Sequence, residues 1–117
     1  MIDFKKFWRS FAFAFQGLRW LFEENNAKIH LSATIWVVGL GVYCDFRPWE
    51  WMAVSLAIAL VFITEAINTA LERLTDLASP QQHPLAGKVK DLAAAAVLIA
   101  ALFAVIVGLV VFVPHFK

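Results

Sequence analysis

Glu65, Asn68, Thr69, Glu72 and Asp76 stand in the stretch TEAINTALERLTD, and helical spacing puts all five on one face, within about 100° of helix circumference. Carboxylates and a carboxamide along one stripe can accept a proton and can offer hard oxygen ligands to a cation such as magnesium. Residues 51–64, just before them, carry no charge, so the stripe begins inside a helix composed like a membrane span. An ionisable group at that depth costs roughly 2.5–3.5 kcal/mol on insertion scales and is rarely there without a task. A plainer reading keeps the stripe as a hydrogen-bonding seam between subunits.

The elements that must carry this stripe follow from composition. The chain has 117 residues, 62% hydrophobic content and a mean hydropathy of +0.73, which is one domain and too apolar for a soluble protein of this size. A net charge of +1 argues against a nucleic-acid partner held by phosphate neutralisation. The single Cys44 excludes an intramolecular disulfide and a cysteine-based metal site. No cleavable signal peptide is expected, because Lys5, Lys6, Arg9, Arg19, Glu23, Glu24 and Lys28 interrupt the first thirty residues. The chemistry therefore has to be done in or at a bilayer.

Residues 1–28 read as an amphipathic helix at the membrane interface. Phe4, Phe7, Trp8, Phe11, Phe15, Leu18 and Phe22 recur at helical spacing while Lys5, Lys6, Arg9 and Gln16 project elsewhere. Residues 25–28 are a polar break, and three transmembrane helices are predicted at about 29–44, 48–78 and 88–113. Pro48 marks the first turn, with Trp49 and Trp51 as an aromatic belt, and the segment SPQQHPLAG is a loop whose two prolines end one helix and delay the next. Of the ten Lys and Arg residues, eight lie in the N-terminal segment or beside the second loop and two, Arg47 and Lys117, on the other side. That bias places the N-terminus and the second loop in the cytoplasm. Ala93 to Ala96, Ala100, Ala101, Ala104 and Gly108 make one side of the last helix small, as close packing within or between subunits requires.

At 1.5 Å rise per residue, Glu65 lies roughly 21 Å inward from Trp51 and Glu72 roughly 31 Å, so the stripe climbs from apolar surroundings to water. Such a gradient suits a site that joins a lipid headgroup to a water-soluble, phosphate-bearing substrate. Glu72 and Asp76, with Glu23 and Glu24 at the end of the surface helix, offer oxygens to magnesium, although solvated interfacial charge explains Glu23 as well. Lys88 and Lys90 beside Asp91 can neutralise phosphate, yet are also the ordinary topology signal. His83 is expected to be exposed and near any nucleotide; His30 reads as a polar anchor at a helix start. No P-loop is present, since Gly87-Lys88 is followed by Val89 and lacks the upstream glycine.

The strings TEAINTALERLTDLASP, HPLAGKVKDLAAAAVL and EENNAKIH closely resemble the small prokaryotic diacylglycerol kinase family, which includes undecaprenol kinases. The resemblance spans residues 17–114 and is densest over 65–97. It implies an all-α, multi-pass protein of the prokaryotic cell (inner) membrane: a homotrimer whose subunits each carry a surface helix and three transmembrane helices. Active sites would form between neighbouring subunits. The implied reaction is ATP- and magnesium-dependent phosphorylation of a lipid hydroxyl.

Carried over by position, Glu65 matches the family's catalytic base, and Glu24 and Glu72 match the acids that coordinate magnesium. Asn68 matches the polar neighbour lining the site, Lys90 the lysine on the phosphates and Asp91 its acidic companion. Asp76 and His83 match nucleotide-side residues. The interval from Gly17 to Glu24 is one residue shorter than in the relatives, so no role is carried to Lys6. Ala94 stands where the diacylglycerol-specific branch has serine, and with the DLASP ending it leans the acceptor toward undecaprenol over diacylglycerol. A non-enzymatic membrane oligomer or ion-path subunit is the alternative class. A channel needs a polar stripe across the whole bilayer, which residues 51–64 and the first transmembrane helix do not offer.

Overall fold

The computed structural model describes residues 1–117, and its secondary structure is helical throughout, with no strand. Helix α1 spans Phe4–Leu21 and opens on Asp3, whose carboxylate accepts a hydrogen bond from the Lys6 amide at 3.1 Å. That bond satisfies one of the amides a helix start leaves without a partner. Helix α2 spans Asn25–Tyr43. Two expected boundaries therefore move: the surface helix stops at Leu21 rather than at residue 28, and residues 25–28 form the first turn of α2 rather than a break. Asn25, Asn26 and Lys28 are exposed in that turn, where polar side chains keep their water and do not oppose a helix. The chain bends instead just before it, with Glu24 extended at ψ 139° as the N-cap.

Helix α3 spans Pro48–Ala78 and is the central element, packed along α4, against α2 and at one end against α1. Pro48 takes the first helical position, where its missing N–H is no loss. Glu50 Oε1 accepts a hydrogen bond from the Arg47 amide at 2.9 Å, and Pro80 ends the helix by disfavouring the helical conformation at Ser79. Helix α4 spans Pro84–Phe112 and runs into a 3-10 turn, Val113–Phe116. It starts at Pro84 and not at about residue 88. Pro84 sits at the first helical position and His83 Nδ1 accepts from the Leu85 amide at 3.0 Å, so this proline begins the helix that it was expected to delay.

The α2–α3 turn explains one glycine. Asp45 adopts a left-handed conformation, φ 55°, which aspartate tolerates better than most residues. The Phe46 amide then bonds back to the Gly41 carbonyl at 3.1 Å, and the Asp45 amide to that of Val42 at 3.2 Å, the two bonds of a Schellman stop. This lays the Phe46 ring over Gly41. Phe46 also packs on Trp51, Phe112 and His115, while His115 Nε2 meets the buried Glu50 carboxylate at 2.6 Å, fastening the C-terminal turn to the start of α3. A Cβ on Gly41 would lie 2.7 Å from Trp51 Cη2 and 2.8 Å from Phe46 Cδ2, whereas one on Gly39 meets nothing within 4 Å. Gly41→Ala is accordingly expected to cost about 1–3 kcal/mol by overpacking. A lower melting temperature of the detergent-solubilised protein, with none for Gly39→Ala, checks this; equal behaviour of the two variants refutes it.

The chain leaves much of its apolar surface uncovered. Its accessible surface is 9127 Å², against about 6,400 Å² for a compact monomer of this mass. Its radius of gyration is 17.6 Å, where about 13 Å is usual for this length. Ile35, Trp36 and Val42 on α2 and Leu98, Ile99, Val105 and Ile106 on α4 are exposed. Helix α3, and α4 with its terminal turn, are long and apolar enough to cross a membrane, with mean hydropathies of 1.9 and 3.2 over an 18-residue stretch of each. Helix α2 falls short of that composition because Asn25, Asn26, Lys28 and His30 occupy its first turns.

Candidate functional site

The stripe on α3 meets a different element at each level. At its deep end Glu65 is buried, 4% exposed, and its Oε1 lies 3.2 Å from His30 Nε2 on α2. Phe62, one turn earlier, packs edge-on against both His30 and Phe22 and so ties the α1–α2 junction to α3. One turn outward from Glu65, the Asn68 amide nitrogen donates to Glu72 Oε1 at 3.2 Å. Asn68 Oδ1, by contrast, is buried with no hydrogen-bond partner. Buried polar atoms are nearly always satisfied, and within the protein this oxygen inside an acidic stripe has no donor of its own.

Nearer the water, Arg73 forms an ion pair with Glu24 at the head of α2, and Lys90 Nζ meets Asp76 Oδ1 at 2.6 Å across the α3–α4 gap. The threonines among the stripe's neighbours need no outside partner. Thr64 and Thr75 donate to the Leu60 and Leu71 carbonyls one turn back, which lets hydroxyls sit in apolar helices.

Two openings border the stripe and a third lies beside its deep end, next to His30. A polar pocket of about 600 Å³ is lined by Asp76, Ser79, Gln81, His83 and Lys90 together with the loop, within the size range of small-molecule sites. A groove of about 560 Å³ runs between α1 and α3 beside Leu18, Thr69 and Arg73. A narrower apolar cavity of about 130 Å³ descends between α2, α3 and α4, with His30 and Thr34 as the polar residues of its wall.

Asp76, His83 and Lys90 thus come together, as do Asn68 and Glu72. Glu65 stands apart with His30, and Glu24 is engaged by Arg73. Asp91 and Ala94 are exposed on α4 and touch neither the polar pocket nor the apolar cavity; any part they take needs a neighbouring subunit or the lipid itself. Two partners were invisible in the sequence. Arg73 counted there only as topology charge and His30 only as an anchor, because each reaches its acid from another helix.

A hard cation is the group the stripe could hold. Glu72 offers an exposed carboxylate, Asn68 contacts it through its amide nitrogen while its Oδ1 has no partner within the protein, and magnesium commonly takes only one or two carboxylates and completes its shell with water and phosphate. The donor set fits magnesium. No three His, Cys, Asp or Glu side chains gather into a cluster of their own.

Comparison with known proteins identifies the family. The family model described as prokaryotic diacylglycerol kinase matches residues 12–112. The undecaprenol kinase of Bacillus subtilis is 36% identical over 114 residues, 96% of this chain and 92% of that one. The diacylglycerol kinase of Synechocystis is 39% identical over 101 residues, 85% of this chain and 58% of that longer protein. That of Escherichia coli K12 is 29% identical over 115 residues, 97% of this chain and 93% of its own. With all but the first eleven and last five residues matched by one family model, and a relative above 30% identity covered almost end to end, the chain belongs to the prokaryotic diacylglycerol kinase family, a family of lipid kinases.

Proposed function

We propose that this protein transfers the γ-phosphoryl group of ATP to the hydroxyl of a membrane lipid, with undecaprenol as the acceptor. The observation that carries the reading is the arrangement along α3: a buried Glu65 at the apolar end, the Asn68–Glu72 oxygens one to two turns on, and Asp76 with Lys90 and His83 around a polar pocket at the aqueous end. A lipid alcohol and a nucleotide can reach the same stripe from opposite sides.

In this mechanism the lipid hydroxyl oxygen attacks the γ-phosphorus while Glu65 accepts its proton. A new O–P bond forms as the bond from the γ-phosphorus to the β–γ bridging oxygen breaks, and ADP leaves with that electron pair. Lys90 and His83 hold the phosphate and loop side of the nucleotide, Asp76 orients Lys90 through their ion pair, and Asp91 is its acidic companion. Glu72 and Glu24, with Asn68 beside Glu72, would hold magnesium, which would supply charge neutralisation on the phosphates. The rest is positioning, as phosphoryl transfer generally requires.

The setting is a prokaryotic cell membrane. α2, α3 and α4 cross it, α1 lies in its cytoplasmic interface, and the N-terminus and the 79–83 loop face the cytoplasm, as the eight-to-two distribution of Lys and Arg supports. A homotrimer would cover the exposed faces of α2 and α4 and bring Asp91 and Ala94 of one subunit toward the stripe of the next. The large uncovered surface supports assembly of this kind.

Ala94 supports the choice of acceptor, because an apolar wall beside the attacking hydroxyl offers no donor to a glycerol ester and suits a polyprenol. Purified protein with labelled ATP and a panel of lipid alcohols is expected to prefer undecaprenol. Ala94→Ser is expected to shift the ratio of kcat/KM values toward diacylglycerol by about fivefold, the equivalent of roughly 1 kcal/mol for one neutral hydrogen bond. Strong wild-type preference for diacylglycerol would make that lipid the acceptor. An unchanged ratio in Ala94→Ser would show that choice is made elsewhere.

A further inference from the structure

Glu65 is a single carboxylate buried in the apolar half of the protein, and side chains in that position need something to hold them. Its one side-chain partner is His30, which arrives from the second turn of α2 with Nε2 at 3.2 Å from Oε1. His30 is itself partly buried, 28% exposed in its side chain against 5% for that of Glu65, and its ring is backed edge-on by Phe62. It also forms the polar lip of the apolar cavity between α2, α3 and α4. The pair is therefore braced by Phe62, and His30 links Glu65 to the wall of that cavity.

We infer that His30 is the positioning residue for Glu65, holding Oε1 so that Oε2 faces the lipid hydroxyl; this rests on the reading of Glu65 as the base. A carboxylate able to take a proton is ionised and can only accept hydrogen bonds. The proton between the two groups must then sit on His30 Nε2, which donates to Oε1. With one oxygen occupied and the carboxylate plane set, the lone pairs of Oε2 are the ones left for the incoming hydroxyl. Without the imidazole, the side chain can rotate about its last torsion, which is broad for glutamate, and the fraction of time spent in the productive orientation falls. Reacting groups displaced by about 1 Å cost on the order of a hundredfold in rate.

His30→Leu is expected to lower kcat for lipid phosphorylation by about 10- to 100-fold while leaving KM for ATP and for the lipid within about twofold, since neither substrate-binding group is touched. His30→Gln, whose amide nitrogen reaches nearly as far as Nε2 and still donates, is expected to recover most of the rate. The decisive readout is the double variant: in a Glu65→Gln background, His30→Leu should lower the residual rate no further, because a residue acting only through Glu65 has nothing left to position. Where His30→Leu does not assemble on size exclusion, His30→Asn, whose amide stops short of Glu65, replaces it in every comparison. Wild-type kcat in the single variant, failure of Gln to rescue, or a further loss in the double variant overturns the inference. Failure of the wild type to phosphorylate any lipid alcohol overturns the proposed function instead, so the two failures are distinguishable.

Discussion

Glu65→Gln is expected to leave the protein inserted and folded while lowering phosphoryl transfer by about 10²- to 10⁴-fold, the range over which a positioned general base contributes. The amide keeps the length and shape of the side chain, and its carbonyl oxygen can still accept the hydrogen bond from His30 at the position of Oε1. What it cannot do is take a proton from the attacking hydroxyl. The loss should fall on kcat, with KM for ATP unchanged, because the Asp76, His83 and Lys90 pocket lies about three turns further along α3. Steady-state rates with labelled ATP and a fixed mole fraction of lipid alcohol measure it, alongside a size-exclusion profile matching wild type. Turnover near the wild-type value would remove Glu65 from the role of base.

Glu72→Ala is expected to weaken magnesium and ATP together. Glu72 is exposed and its Oε1 is held by the Asn68 amide, so its loss removes one hard oxygen and also frees Asn68, whose Oδ1 already lacks a partner. With one of few protein ligands gone, apparent kcat/KM for ATP at about 1 mM magnesium should fall by roughly 10- to 100-fold, comparable to the loss of a group that orients a metal site. Raising magnesium should restore part of it. This partial rescue separates a ligand from a structural residue, because excess cation refills a weakened site and cannot repair a misfolded one. A magnesium dependence identical to wild type would assign Glu72 another task, such as holding Asn68.

Much of the helical framework was readable because its causes are local. Pro48 can only begin α3, Pro80 closes it, and the period of Glu65, Asn68, Glu72 and Asp76 aligns them on one face whatever surrounds the helix. The excess of apolar residues with no charge over 51–64 and 92–114 likewise required a setting other than water. The misplaced boundaries were those where local signals compete. Residues 25–28 are polar enough to look like a break, yet solvent accommodates them in a first turn. Pro84 is compatible with a loop or with a first helical position, and His83 capping Leu85 settles it.

The partners of the stripe belong to tertiary structure alone. Glu65 with His30 is separated by 35 positions and Glu24 with Arg73 by 49, and no periodicity relates residues on different helices. Spacing along one chain determines direction about one axis; which side chain fills the space opposite depends on how α1, α2 and α4 dock on α3. The same physical reason governs the orphaned Asn68 Oδ1 and the crowding of Gly41 by Phe46 and Trp51. The acids of the stripe were therefore legible in the order of residues, and the histidine that holds the deepest of them became visible only once two helices were packed together.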